Sequence, residues 1–288
     1  GTTGPTAATE THTNLLCNGI PTGTATANAV GGTVPYTYSW TTSPLQTTQT
    51  ANGLSAGNYS VTISDVNGCQ ISIPVIINQP QPVFVIGSRD TTLCYGQLTQ
   101  VFATAGGGSG SGYTYSWTPN TTWTGSGPHN INSNASITYT VIATDANGCV
   151  SPTDNIVVNV LPPLTVSTSD VSVCEGQQAT LTSTPNGGNG GPYTVQWCNG
   201  SNATSQSFTV PAGQTTYSCD IIVRDGCSTP DTATALITVN PSPLVLMSVN
   251  DPEGCEPHTT SFVGSSTNGI SYQWAFGDGG TSVGTLPS

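Results

Sequence analysis

Short segments in which large side chains alternate with small polar ones are spread along the whole 288-residue chain. A period of two places every second side chain on one face of a β-strand, so each segment predicts a strand with one buried face. Helical spacing is never sustained, while β-branched residues and glycines recur throughout. The pattern therefore predicts an all-β fold. The clearest segments are the four that end in tryptophan: Tyr36–Trp40, Tyr113–Trp117, Tyr193–Trp197 and Ile270–Trp274.

Cysteine, tryptophan and cysteine recur in that order every 77 to 81 residues. Three markers in one long register indicate successive copies of a module. Proline pairs such as Pro162 and Pro163 mark the seams, and proline favours short, stiff connections. We therefore expect a rod-like array of four modules, the fourth incomplete. Modules one to four cover residues 1–80, 81–161, 162–242 and 243–288.

A tyrosine-led strand in each of the first three modules runs into a turn sequence that contains Asn-Gly or Asp-Gly. These dipeptides tolerate positive φ and match the twist of a tight hairpin, so each turn is predicted to join the last two strands of its module. The turns also resemble the start of a calcium loop, but they lack its later acidic ligands. A tyrosine that opens the penultimate strand, a core tryptophan and flanking cysteines together indicate an immunoglobulin-like β-sandwich. The turns are Asp65–Gly68, Asp145–Gly148 and Asp225–Gly226.

The composition of the chain narrows the classes of function that we expect for it. Only 6% of residues are charged, Lys and Arg together number 2, and the formal net charge is −12, so nucleic acid is not an expected partner. No apolar run reaches the roughly 20 residues that span a bilayer. The histidines His12, His129 and His258 occupy non-equivalent positions and form no catalytic constellation. We therefore expect neither an enzyme nor a cofactor.

The nine cysteines include no Cys-x-x-Cys pair, which favours disulfides in an oxidising, extracellular location. Two pairings remain open. Pairing within modules joins Cys17 to Cys69, Cys94 to Cys149 and Cys174 to Cys227, and it is the favoured alternative. Pairing between modules joins Cys17 to Cys149 and Cys94 to Cys227. Cys198 and Cys219 are predicted to form a separate bridge in module three.

Module one resembles the repeat of SprB-type gliding-motility surface adhesins of Bacteroidota, through Tyr36–Trp40 and Gly53–Cys69. Modules two and three resemble the immunoglobulin-like domains of the same secreted proteins. Trp274 to Gly279 is similar to the motif of polycystic-kidney-disease domains. The resemblance implies a secreted array, exported by the type IX route and displayed at the cell surface as an adhesin, filament or spacer.

Three further kinds of site are predicted less directly. Asp251, Glu253 and Glu256 form an acidic cluster that is a weak calcium candidate, with a solvated loop as the alternative. Thr91 and Thr232 follow aspartates in a pattern that resembles the Bacteroidota O-glycosylation signal. Trp123 lies outside the repeating register and is interpreted as either a lid over module two or a contact residue.

The leading hypothesis is a non-enzymatic structural and adhesive stalk outside the cell. Its expected partners are neighbouring copies, further modules of the same protein, surface glycans or solid surfaces. One alternative is a carbohydrate-binding or spacer region of a giant secreted enzyme. Another is a homopolymer in which module four is completed by a strand from a neighbour.

Overall fold

Three separate hydrophobic cores, one in each of the first three modules, organise the computed structural model. The structure describes residues 4–211, 213–250, 253, 255, 261–269, 271–275 and 281–285. Within these ranges the regular elements are β-strands, and no helix occurs. The chain divides into two units, residues 1–161 and 162–288, and each is described by itself.

Module one is a sandwich of two three-stranded sheets, with strand orders β1-β2-β4 and β3-β5-β6. Its core lies between them and includes Trp40, which is 1% exposed. Alternation along β5 places Val61 and Ile63 in this core and Thr62, between them, on the outer face. The strands are β1 Pro5–Thr13, β2 Gly23–Gly31, β3 Thr37–Trp40, β4 Thr50–Leu54, β5 Gly57–Ser64 and β6 Gln70–Ile77.

Module two divides its first strand between the two faces of the sandwich. β7 pairs antiparallel with β10, and β8 then pairs parallel with β14 in the sheet β11-β13-β14-β8. The pair β12-β9 completes the opposite face. The strands are β7 Phe84–Gly87, β8 Thr91–Leu93, β9 Thr99–Val101, β10 Ala103–Gly106, β11 Thr114–Thr118, β12 His129–Ile131, β13 Ile137–Thr144 and β14 Asp154–Val160.

Module three repeats this topology strand for strand. β15 pairs with β18, β16 pairs parallel with β22, and the four-stranded sheet has the order β16-β22-β21-β19. The strands are β15 Thr165–Ser167, β16 Val171–Cys174, β17 Gln178–Thr182, β18 Thr184–Asn186, β19 Thr194–Trp197, β20 Ser205–Thr209, β21 Thr216–Arg224 and β22 Asp231–Asn240. A first strand that is divided between two packed, mainly antiparallel sheets is typical of an immunoglobulin-like sandwich, which confirms the predicted fold class.

Module four is described as two strand pairs, β23-β24 and β25-β26. Large apolar side chains of the first pair are exposed, among them Val245 at 65% and Met247 at 64%. The strands are β23 Leu244–Asn250, β24 Ser261–Thr267, β25 Ser271–Ala275 and β26 Thr281–Thr285.

The tryptophan of each complete module is fixed by the same interaction. The indole Nε1 of Trp40 donates to the carbonyl of Thr48, that of Trp117 to Gly125, and that of Trp197 to Ala203, at 2.8, 3.0 and 2.7 Å. A buried indole needs such a partner because an unpaired donor in the core is destabilising. The predicted alternation therefore buries these three tryptophans as expected.

Candidate functional site

The joint between modules one and two is covalently closed. Cys17 and Cys149 form a disulfide with Cα atoms 5.5 Å apart and a sequence separation of 132. Beside the bond, the connection from module one lies against the start of module two. Asn18 Nδ2 donates to the carbonyl of Pro80 at 2.9 Å. Pro82 and Val83 line a pocket together with both cysteines of the bridge.

The favoured pairing within modules was wrong for Cys17, and the reason is the length of the sandwich. Cys17 lies in the turn before β2, whose first residue pairs with Leu54 close to the start of β5. Cys69 lies just after the end of β5. The eight residues of β5 separate these ends by about 26 Å at a rise of about 3.3 Å each. A disulfide requires Cα atoms within about 7 Å.

We call the turns that hold Cys17, Cys94 and Cys174 the first-cysteine turns. In each, the cysteine carbonyl accepts a hydrogen bond from the backbone N–H three residues later, at 3.3, 3.1 and 3.1 Å. Each turn also contains a glycine at positive φ two residues after the cysteine, which an L side chain would strain. The three first cysteines therefore occupy one backbone geometry. The glycines are Gly19, Gly96 and Gly176, with φ of 75°, 77° and 83°.

We call the turns Asp65–Cys69 and Asp145–Cys149 the second-cysteine turns, with Asp225–Cys227 as a shorter version. The buried Asp145 carboxylate accepts backbone N–H groups from Cys149 at 2.8 Å, from Asn147 at 2.9 Å and from Ser109 at 2.8 Å. Ser109 belongs to the loop after β10, so the aspartate fastens two loops together. The carboxylate also fixes the backbone of the cysteine that bonds to module one.

The same arrangement recurs in the other two complete modules. Asp65 accepts from Thr33, Asn67 and Cys69, and Asp225 accepts from Asn189, Cys227 and Ser228. Burial raises the pKa of each of these carboxyls, but the backbone hydrogen bonds outweigh it. The pKa of Asp65, Asp145 and Asp225 therefore lies below its ordinary value.

These contacts favour the turn interpretation of the two Asn-Gly sequences over a calcium loop. The oxygens of Asp65 and Asp145 face N–H donors, whereas a calcium site needs several oxygens facing one ion. Sequence reasoning identified the turns but missed this role of the aspartates. The available signal was their spacing, four residues before the second cysteine in modules one and two.

The remaining cysteines divide into bonded and free residues. Cys198 and Cys219 form the predicted bridge in module three, with Cα atoms 5.3 Å apart. Cys94 and Cys227 are also disulfide-bonded. Within the described part of the chain, the free cysteines are Cys69, Cys174 and Cys255, so the predicted bridges from Cys69 to Cys17 and from Cys174 to Cys227 were wrong. The predicted bridge from Cys94 to Cys149 was also wrong, because Cys149 is bonded to Cys17.

Trp123 covers one edge of the module-two core. Its ring is stacked on His129 with centroids 4.4 Å apart and on Tyr139 with centroids 5.1 Å apart. It also meets Trp117 edge to face at 5.9 Å. Trp123 therefore packs as a lid, and a contact role for it stays a prediction.

The predicted glycosylation residues lie on strands. Thr91 begins β8 and is half-buried, whereas Thr232 lies near the start of β22 and is exposed. The preceding aspartates have a structural role, since Asp90 accepts the N–H of Val157 at 2.7 Å and Asp231 accepts that of Val166 at 2.8 Å. Modification of either threonine stays a prediction.

Of the three acidic residues of the calcium candidate, only one lies among the described residues. Glu253 is exposed, and Asp251 and Glu256 lie outside the described residues. Among the residues that the structure describes, no group of three or more His, Cys, Asp or Glu side chains is placed to hold a metal ion. The same part of the chain contains no helix that is long and apolar enough to cross a membrane.

Comparison with known proteins matches residues 9–44 to the SprB repeat family. A search of curated proteins found no match. Among solved structures, an I-band fragment of titin is 14% identical, with 83% of this chain and 99% of that chain covered and a TM-score of 0.43. A two-immunoglobulin-domain fragment of DIP-gamma is 14% identical, with coverages of 54% and 94% and a TM-score of 0.36.

The eight N-terminal immunoglobulin domains of Down Syndrome Cell Adhesion Molecule are 12% identical to this chain. The coverage is 93% of this chain and 40% of that one, with a TM-score of 0.33. At these identities the likenesses concern the fold. The chain is similar to SprB repeats over residues 9–44. Its own strand pairings, and not these likenesses, show that it is a tandem array of immunoglobulin-like β-sandwiches.

Proposed function

We propose that this chain is a section of a non-enzymatic, extracellular stalk that serves a structural and adhesive role in a long surface adhesin or filament. The SprB repeat match and the immunoglobulin-like fold indicate a structural or adhesive repeat module. The observation that carries the proposal further is the Cys17–Cys149 bridge, which makes the joint of two successive modules covalent.

The bridge changes how tension travels along the chain. A pull applied on either side of residues 17–149 passes through the sulfur atoms and bypasses the strands from β2 to β13. The hydrogen bonds among those strands are spared while the bridge carries the load, and only their pairings with β1 and β14 remain under tension. A stalk that tethers a cell or resists flow needs such a path, because a covalent bond tolerates tension at which sheets separate.

The surface composition suits the same role. With 6% charged residues, the exposed faces are built largely from Thr, Ser, Asn, Gln and Gly. These groups stay hydrated without charge and interact weakly with salt. The proposed contacts are with neighbouring modules, surface glycans or solid surfaces.

Labelling of intact cells of the natural host tests the proposal. Antibodies to modules one to three, followed by gold labelling and electron microscopy, are expected to decorate extended material outside the cell. Cells from which these modules are deleted in frame are expected to attach less well to glycan-coated or solid surfaces. Label confined to permeabilised cells, or unchanged attachment of the deletion strain, contradicts the proposal.

A further inference from the structure

Two free cysteines occupy positions whose counterparts in the joint are bonded. Cys174 is exposed in the first-cysteine turn of module three, and Cys69 is half-buried in the second-cysteine turn of module one. The bridge at the joint connects one turn of each kind, with Cys17 from a first-cysteine turn and Cys149 from a second-cysteine turn. Among the cysteine turns defined above, one of each kind therefore holds an unbonded cysteine.

The backbone of Cys174 matches that of Cys17. Each cysteine carbonyl accepts a hydrogen bond from the backbone N–H three residues later, at 3.1 Å for Cys174 and 3.3 Å for Cys17. In both turns, the second residue after the cysteine is a glycine at positive φ. A surface pocket beside Cys174 is lined by Glu175, Gln177 and residues 209–211, 213 and 214. The thiol thus lies where a turn from another module can approach.

The backbone of Cys69 matches that of Cys149. Its N–H donates to Asp65 at 2.9 Å, as that of Cys149 donates to Asp145 at 2.8 Å. The incoming chain also passes both cysteines: Gly4 lies against Cys69, and Pro82 lines the pocket that contains Cys149. Cys69 therefore faces the end of module one at which its chain begins, as Cys149 does in module two.

We propose that Cys69 and Cys174 are halves of two further disulfides between modules, in which a first cysteine of one module bonds to a second cysteine of the next. The partner of Cys69 is a cysteine in a first-cysteine turn, Cys-x-Gly or its equivalent. The partner of Cys174 is a cysteine that follows an Asn-Gly or Asp-Gly turn. In such a ladder of bridged modules, the joints formed by Cys69 and by Cys174 are covalent, as the joint between modules one and two is.

Formation of each bond balances by thiol–disulfide exchange. Two protein thiols are oxidised to one disulfide while the disulfide of an oxidant, such as oxidised glutathione, is reduced to two thiols. The attacking species is the thiolate of a protein cysteine. The proton that this cysteine has lost ends on the thiolate that leaves the oxidant. The inference rests on the proposed extracellular location, because such bonds persist only under oxidising conditions.

Disulfide mapping of the protein from its natural host is the primary test. The sample is treated with iodoacetamide before denaturation and digested with pepsin, since acid suppresses exchange and the chain offers trypsin only two cationic residues. We expect the Cys69 and Cys174 peptides to be linked to peptides of the opposite cysteine class. Alkylated Cys69 or Cys174, or a link between two cysteines of one class, overturns the inference.

The Cys17–Cys149 peptide in the same digest separates the two possible failures. If it is intact while Cys69 and Cys174 are alkylated, only the ladder fails and the proposed location stands. If Cys17 and Cys149 are alkylated as well, both the extracellular location and the ladder are overturned.

Recombinant chains provide a second test with matched partners. One variant, Cys174→Ser with Cys255→Ser, keeps only Cys69 free, and the other, Cys69→Ser with Cys255→Ser, keeps only Cys174 free. In oxidised glutathione we expect cross-links when the two are mixed and monomers when each is alone. Equal cross-linking of either variant with itself, or none in the mixture, contradicts recognition between the two kinds of turn.

Discussion

The two disulfides Cys17–Cys149 and Cys198–Cys219 have similar Cα separations, 5.5 and 5.3 Å, but they act over very different lengths of chain. The first has a sequence separation of 132 and joins two sandwiches, whereas the second has a separation of 21 and lies within module three. The first determines how modules follow one another, and the second reinforces one core. A disulfide therefore links successive modules in one place and stabilises a single module in the other.

Mechanical extension should show the largest difference between the two bridges. With handles at Asn14 and Asn155, replacement of Cys17 and Cys149 by serine is expected to release about 450 Å of additional chain on unfolding, at about 3.4 Å per residue. With handles at Gln196 and Asp220, replacement of Cys198 and Cys219 is expected to release only about 70 Å. Single-molecule force spectroscopy measures both lengths.

The intact chain with the same handles is the control for each measurement. Equal contour lengths with and without the Cys17–Cys149 bridge would contradict the load path proposed for the stalk.

Much of this comparison was open to prediction from the sequence. Period-two alternation and the tryptophan register predicted the sandwiches, and the proximity of Cys198 and Cys219 on neighbouring strands predicted their bridge. The partner of Cys17 was not predictable in this way, because the spacing of cysteines does not reveal which end of a sandwich each occupies. That depends on the path of the chain from β1 to β2, which determines that Cys17 lies about one strand length from Cys69.

The hydrogen bonds that Asp65, Asp145 and Asp225 accept were not predicted from the sequence. An Asn-Gly turn is readable as a turn from its local φ preferences. The donation from Thr33 to Asp65, however, comes from a loop 32 residues away, and local rules carry no information about it.

Chemical denaturation should show a smaller difference between the bridges. By loop-closure entropy, removing Cys17–Cys149 as a double serine variant is expected to cost about 5 kcal/mol, and removing Cys198–Cys219 about 3 kcal/mol. Urea unfolding followed by tryptophan fluorescence measures both, since Trp40, Trp117 and Trp197 are at most 2% exposed. A larger loss from the shorter bridge would contradict the entropic explanation.

Module two has no counterpart of the Cys198–Cys219 bridge of module three, and aromatic rings pack at the corresponding position. Trp117 pairs with Val141 and Trp197 pairs with Ile221, so Tyr139 in module two corresponds to Cys219 in module three. Trp123→Ala removes the ring that covers Tyr139 and is expected to destabilise module two by about 2 kcal/mol.

Trp123→Phe is the matched control for the alanine variant and is expected to cost about 1 kcal/mol or less, because one ring remains in the stack. Both values come from urea midpoints. Glycan-array binding by Trp123→Ala separates a packing role from a contact role, since lost binding with an intact fold would indicate contact.

The smallest effect should come from pH, and it should distinguish the free turn of Cys69 from the bridged turn of Cys149. The lowered pKa of Asp65 and Asp145 means that each carboxylate stabilises the fold above the ordinary value of about 3.9. This contribution is lost as pH falls through the folded-state pKa.

We expect the Cys69 amide to exchange faster on acidification, while the bridge still holds Cys149. Hydrogen exchange by NMR between pH 2 and pH 5, corrected for intrinsic rates, measures both amides, and Asp65→Asn should abolish the pH dependence at Cys69. Equal acid sensitivity of the two turns would mean that the aspartates alone, and not the bridge, hold the second cysteines in place.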